Sequence, residues 1–156
     1  MVSWIGQAAH GVATYAESPG GGVLLDVAGV ASSAGTGLRQ GWGVTYRGAA
    51  GRACWFHTPV PAVGLFGHAA ATLGELYVVF EAQGTARVTS VHLWNGDVRL
   101  RTFDGLNLAG RRTFSQLFTP ELAMTATGVN VSTLVQFGAS ASQVVFLGAY
   151  ARFVTP

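Results

Sequence analysis

Lysine is missing from this 156-residue chain, and charge of either sign is scarce: only 10% of residues are charged, against 49% hydrophobic. An ordinary soluble domain carries about 25% charged residues. Either Ser, Thr and Gly cover the outward faces here, or part of the surface is buried against another copy of the chain. Nine Arg oppose seven acids for a net charge of +2. No basic run is longer than Arg111-Arg112, so a phosphate-binding surface, and with it nucleic acid as a partner, is not expected. One cysteine, Cys54, precludes an intrachain disulfide. No apolar run reaches the roughly 18 residues of a membrane-spanning helix. The N-terminus (Met1-Val2-Ser3-Trp4-Ile5-Gly6) has neither a basic region nor a continuous apolar one, so no signal peptide is read. A cytoplasmic chain is the default expectation, with leaderless export as the exception.

What the chain does have is Gly, 22 residues without a collagen-like period, together with many Val, Thr and aromatic residues. That mixture spells short strands joined by tight turns. The clearest segment runs Arg87–Trp94, Asn95-Gly96, Asp97–Phe103. Asn-Gly between two β-rich runs predicts a hairpin with a type I′ turn, whose two central residues need positive φ. In the second arm, Val98 and Leu100 fall on one face and Asp97, Arg99 and Arg101 on the other, which predicts a half-buried strand.

Further on, Val131, Thr133, Val135 and Phe137 alternate with Asn130, Ser132, Leu134 and Gln136. The run Val144–Val154 is apolar on both faces, which places it either centrally in a sandwich or in a subunit interface. Upstream, 42–47 and 52–57 read as two arms around Gly48-Ala49-Ala50-Gly51, closed by Thr58-Pro59-Val60-Pro61 as an edge or exit segment. No window supports a helical period, since Gly or β-branched residues interrupt every candidate. The prediction is an all-β fold: one antiparallel β-sandwich of jelly-roll type over 1–156, with a Gly-rich excursion at 19–38 holding one short strand.

Chemistry-bearing motifs are sparse. His10, His57, His68 and His92 show no ligand spacing, and neither a metal nor another cofactor is expected. Cys54 and His57, three apart on one strand, point to opposite faces and cannot share an ion or activate one another. Cys54 itself reads as an inert buried thiol, and His92 as a hydrogen-bonded residue on a sheet face. G-x-S-x-G is absent. The carboxylate sets Glu75/Glu81 and Asp97/Asp104 are thin, the latter two being turn residues. Enzymatic chemistry is therefore not expected; it would need a metal or polar pocket around His57 and His92. Of the four Trp, Trp42 and Trp55 fit burial, while Trp94, beside the turn, is the one expected at the surface.

Several stretches resemble an uncharacterised bacterial family of small β-sandwich proteins, a domain of unknown function. They are Trp4, His10-Gly11, Glu17-Ser18-Pro19, Arg39–Gly43, the W-F-H-x-P-x-P run Trp55–Pro61, Val88–Leu93, the D-G-L-N-L-x-G run Asp104–Gly110, and Gly148–Phe153. The Gly-rich stretch at 19–38 departs from the short loop expected there. The resemblance implies a sandwich and brings no ligand or activity.

Two functions follow as expectations. The first is a non-enzymatic module that self-assembles into a homo-oligomer through its C-terminal strand, with Phe146, Tyr150 and Phe153 at the interface. The alternative is a carbohydrate-binding, lectin-like module. Its ligand residues would be Trp94, Asn95 and Asp97 at a loop end, or Asp104 and Asn107 with or without Ca²⁺. The segment 104–110 is otherwise expected to act as a clasp, with Asp104 and Asn107 capping backbone N–H groups and Leu106 and Leu108 plugging the sandwich end.

Overall fold

A computed structural model describes residues 3–17, 23–26, 28–31, 37–62, 65–66, 69–124 and 128–155. Its strands are β1 (Ser3–His10), β2 (Tyr15–Ala16), β3 (Leu24–Leu25), β4 (Leu38–Gln40), β5 (Gly43–Gly48), β6 (Ala53–Val60), β7 (Leu65–Phe66), β8 (Ala69–Ala70), β9 (Thr72–Gln83), β10 (Arg87–Asn95), β11 (Val98–Phe103), β12 (Gly110–Ala123), β13 (Val129–Gln136) and β14 (Ser142–Thr155). The only helical turn among the described residues is a 3₁₀ turn at Gly11–Ala13. One sheet has the order β12-β9-β14-β5-β3, with β1 also on β14 and β4 also on β5. The facing sheet has the order β11-β10-β13-β6-β2. Every pairing is antiparallel. The expected all-β sandwich is therefore what the chain forms. Within the stretch 19–38, β3 pairs with β5, and much of the rest lies outside the described residues.

Strand alternation builds the core. Val131, Thr133, Val135 and Phe137 all face inward, as their period of two requires. Phe56 of the smaller sheet touches Tyr46 and Phe146 of the larger, with ring centroids 4.7 and 5.1 Å apart. Burying each such aromatic stabilises the fold by about 1.5–3 kcal/mol. At Gly48 the ring of Phe137 lies where a Cβ would be, so only Gly lets the two sheets approach there. Cys54 is buried, and its thiol is pushed up to about 11, first by burial and then by the charge of Glu17.

Three expectations change. The segments 42–47 and 52–57 are not hairpin partners, because the Gly48–Gly51 turn carries the chain from one sheet to the other. The strand after it, β6, meets β2 only at Phe56 and His57, so Pro59 lies along its free edge. In the 87–103 hairpin the two-residue loop is Gly96-Asp97, not Asn95-Gly96: Asn95 pairs with Val98, and Gly96 takes the positive φ of 61°. The third change concerns β11. A bulge between Leu93 and Trp94 leaves Leu100 without a partner, though it packs on the core as expected, and the extra residue shifts the faces of the strand from Arg101 onward. Arg101 and Phe103 lie opposite core residues Leu93 and Val91, while Val98 is 56% exposed.

The C-terminal strand β14 lies inside its sheet, flanked by β9 on one side and by β5 and β1 on the other. Phe146 and Phe153 point into the core. They are thus core residues rather than interface residues, because a two-sided apolar strand has been placed centrally. Tyr150 faces outward, half-buried, with its ring 5.7 Å from Tyr77.

Candidate functional site

The outer face of the five-stranded sheet carries an ordered set of aromatic and hydrogen-bonding side chains. Register places them in rows across the strands. The central row runs Thr102, His92, Ser132, His57, Tyr15 over β11, β10, β13, β6 and β2. On one side lies Arg99, Trp94, Asn130, Pro59; on the other, Ser90, Leu134, Trp55. Directly opposed side chains in antiparallel strands are about 4.5–5.5 Å apart at Cβ, so neighbours in each row interact.

Both imidazoles are held by carboxylates. His57 Nε2 lies 3.3 Å from Glu17 and His92 Nε2 lies 2.9 Å from Asp104. The imidazoles are 16% and 12% exposed, respectively. Behind His57, Nδ1 is 2.9 Å from Ser132 Oγ and 3.2 Å from Asn130 Nδ2. Because the amide nitrogen only donates, Nδ1 accepts there and the Nε2 proton faces Glu17. The Asp104 carboxyl is held below its usual range, first by the hydrogen bond from His92 and then by one from Ser90. Rings complete the surface: Trp55 packs on His92 at 4.6 Å, Tyr15 on His57 at 5.3 Å, and the Arg99 guanidinium lies 5.6 Å over Trp94. Beyond the Trp94 row, a cavity of about 450 Å³ opens between Pro59, Pro61, Gly96, Gly128 and Asn130.

Ser132, His57 and Glu17 form a chain with the connectivity of a nucleophile, base and orienting acid. Ser132, however, is only 3% exposed, with His57 and His92 beside it in its row. Its strand is laddered on both sides, so the backbone N–H groups beside Ser132 are already engaged. The arrangement holds polar atoms in fixed positions at a surface, which suits hydrogen bonding to a ligand. Among the described residues no three His, Cys, Asp or Glu side chains converge on one point.

Of the residues singled out from sequence, Trp94 and Asp104 belong to this face, and His92 is hydrogen-bonded on it as expected. Asn95 is buried, because the shifted turn leaves it inside the strand on the core parity. Asp97 is exposed in the turn, and Asn107 is exposed in the loop after β11. The clasp is held differently from expectation. Leu106 and Leu108 do pack on the core, but backbone bonds to Thr89 and Val88 pin the segment, while Asp104 binds side chains. Trp42 is 51% exposed and Trp4 48%, whereas Trp94 is half-covered beneath Arg99; flanking Gly and Phe did not bury Trp42. Tyr15, Glu17, Trp55, Asn130 and Ser132 were not singled out as ligands. The alternations Trp55-x-His57 and Asn130-x-Ser132 were visible, but their pairing across β6 and β13 was not. His68 lies outside the described residues.

The chain belongs to a family of unknown function (DUF6623), whose model matches residues 27–150. That span holds both Trp55–Pro61 and Asp104–Gly110, while Trp4 and His10-Gly11 precede it. No curated protein matches the sequence. Among solved structures, a Stig cyclase, Fisc, from Fischerella sp. TAU is similar at 13% identity and TM-score 0.49, with 99% of each chain covered. The chitosan-binding module 1 derived from a chitosanase/glucanase of Paenibacillus sp. IK-5 is similar at 16% identity and TM-score 0.41, covering 95% of this chain and 97% of that one. A family 11 carbohydrate-binding module from Clostridium thermocellum is similar at 9% identity and TM-score 0.41, with 95% and 87% covered.

Proposed function

We propose that this member of the family is a carbohydrate-binding module whose ligand lies on the outer face of the five-stranded sheet. The observation that carries the reading is the interleaving of the rings of Tyr15, Trp55 and Trp94 with two carboxylate-held imidazoles in adjacent rows. A pyranose offers an apolar C–H face and a rim of hydroxyls. Its recognition needs flat rings for the first and fixed donors and acceptors for the second. Glu17 and Asp104 fix the imidazoles, so little side-chain entropy remains to be lost on binding. Five strands spaced by about 4.8 Å give a row of roughly 19 Å, which suits an oligosaccharide better than a single sugar.

The test is a glycan array followed by calorimetry on any hit. Trp55→Ala and His92→Ala should each abolish or greatly weaken binding while the protein stays folded. An array that stays blank with and without Ca²⁺ would remove the reading.

A second reading, self-association, draws on exposed apolar side chains outside that face. Trp4 and Leu117 lie on the seven-stranded sheet, and Leu38 and Trp42 at its β4–β5 end. The C-terminal strand itself is not available for contact at Phe146 or Phe153, so an oligomer would use these residues. Sedimentation at micromolar concentration decides it: a stable monomer would end this reading and leave the first untouched.

A further inference from the structure

The two sheets end, on one side of the sandwich, in strands that each have a single partner: β11 pairs only with β10, and β12 only with β9, among the described residues. These two edges face one another. Phe103 of β11 and Phe114 of β12 meet with ring centroids 5.2 Å apart. Both point toward the core side of their strands, since Phe103 lies opposite Val91 and Phe114 opposite Val78. By the same register, Arg101 (opposite Leu93) and Arg112 (opposite Phe80) also point into this seam. Both remain exposed.

Chain direction fixes their order along the seam. The strand β11 is antiparallel to β10, β12 is antiparallel to β9, and β9 and β10 run in opposite directions on facing sheets. The two edge strands therefore run opposite ways, and Arg101 and Arg112 flank the Phe pair on opposite sides. Each lies two residues from its Phe, about 6.6 Å along the strand, so the Cα positions of the two Arg stand roughly 13 Å apart along the seam. Arg101 donates to the Leu100 carbonyl and Arg112 to that of Ala109. Neither has a carboxylate within 4 Å among the described residues.

We infer that this seam docks an extended acidic peptide strand of a partner protein, with an acidic residue at i, an apolar one at i+2 and an acidic one at i+4. Two observations converge on that occupant. The cation–apolar–cation order repeats every two residues, which is the side-chain period of an extended chain, so the two Arg are spaced like residues i and i+4 of one strand. Both flanking strands also present unpaired backbone N–H and C=O groups for strand addition. Inward-pointing charges on an edge also keep two identical edges from pairing. The same guanidiniums that turn away a second copy of this edge would recognise its charge complement. The inference stands apart from the glycan reading, which concerns the outer face of one sheet.

The experiment is fluorescence anisotropy with a labelled peptide centred on Asp-Thr-Val-Thr-Asp, titrated with the whole protein. A peptide of the same composition with the two Asp adjacent, and one with Lys for Asp, serve as controls. Saturable binding is expected for the first, weakened by 0.5 M salt and by about tenfold when Arg101→Gln and Arg112→Gln are combined. If the double variant does not fold, the two single variants, each expected to lose a few-fold, give the answer. The inference is overturned if the peptide does not bind at millimolar protein, if spacing or charge sign makes no difference, or if the Gln variants bind as the parent does. It is also overturned if a polyuronate oligosaccharide binds at the seam and the peptide does not.

Discussion

The outer faces of the two sheets use similar residue types to opposite effect. On the seven-stranded sheet Arg152 is clamped: its guanidinium lies 3.9 Å over Trp4 and 2.9 Å from Glu75, which also accepts from Tyr77. That hydrogen bond to Glu75 is the main cause raising the Tyr77 pKa. Trp4 lies flat, since its ring occupies the space a Cβ on Gly74 would fill. Here the permanent cation covers the indole and the polar atoms serve one another. On the five-stranded sheet the polar groups beside the rings are imidazoles tucked low in the face, and the Tyr15 and Trp55 rings pack against them instead of lying under Arg. One face sets an arginine over its indole, whereas the other sets carboxylate-held imidazoles beside its rings. Similar composition thus yields two different surfaces, and the difference lies in which polar group is set against each ring.

Both faces depend on the shared core, and β14 offers a direct contrast. Replacing Phe146 with Ala should cost about 3–5 kcal/mol, because a fully buried ring packed on Phe56 and Tyr46 leaves a cavity. Tyr150→Ala, four residues along and facing out, should cost only about 1–2 kcal/mol. Urea unfolding of the two variants measures the gap; equal losses would mean that the assignment of inner and outer residues is wrong.

The next contrast is between the faces themselves. Trp55→Ala should weaken any oligosaccharide bound by the protein about tenfold or more, while Trp4→Ala should leave that affinity unchanged. Calorimetry on both variants reads the difference. Loss in Trp4→Ala alone would move the site to the seven-stranded sheet.

How much of this was legible in the residues depends on the distance over which each feature is set. Alternation along 130–137 fixed the inward and outward sets, because a period of two is local to the strand. The hairpin was legible, but its turn was displaced by one residue. Gly96 alone supplies positive φ at the first loop position, so Asn95 was free to continue the strand. The bulge at Leu100 left no mark in the pattern, and it shifts the faces of β11 from Arg101 onward. The site was least legible, since it joins β2, β6, β10 and β13 through pairings between residues up to 75 apart, such as His57 with Ser132. Nothing in a single sequence states that Trp55-x-His57 lies beside Asn130-x-Ser132.

A smaller effect tests how firmly the five-stranded sheet holds beneath its polar face. Cys54 is on the core side of β6, with its thiol pushed up to about 11 by burial and then by the Glu17 charge. At pH 8 only about one thiol in a thousand would be ionised. Alkylation of the native protein by iodoacetamide should therefore proceed only through opening of β6, far more slowly than in urea. Stoichiometric labelling within minutes under native conditions would show that this sheet opens readily.

The smallest expected effect is a pH dependence carried by one exposed carboxylate. Asp104 is held below its usual range by hydrogen bonds from His92 and Ser90. A carboxyl whose folded pKa lies below its unfolded value binds its proton more weakly in the folded state. Its contribution is then fully present above the unfolded value of about 3.9 and is lost as pH falls through the folded one. Asp104→Asn should therefore melt slightly below the parent at pH 5–7, and the difference should shrink and vanish as pH is lowered from about 4 toward 2. Thermal melts of the two proteins across that range give the answer. A difference that held constant to pH 2, or that grew with acidity, would mean that His92 and Ser90 do not favour the charged carboxylate, and that Asp104 does not anchor His92 in the way the geometry implies.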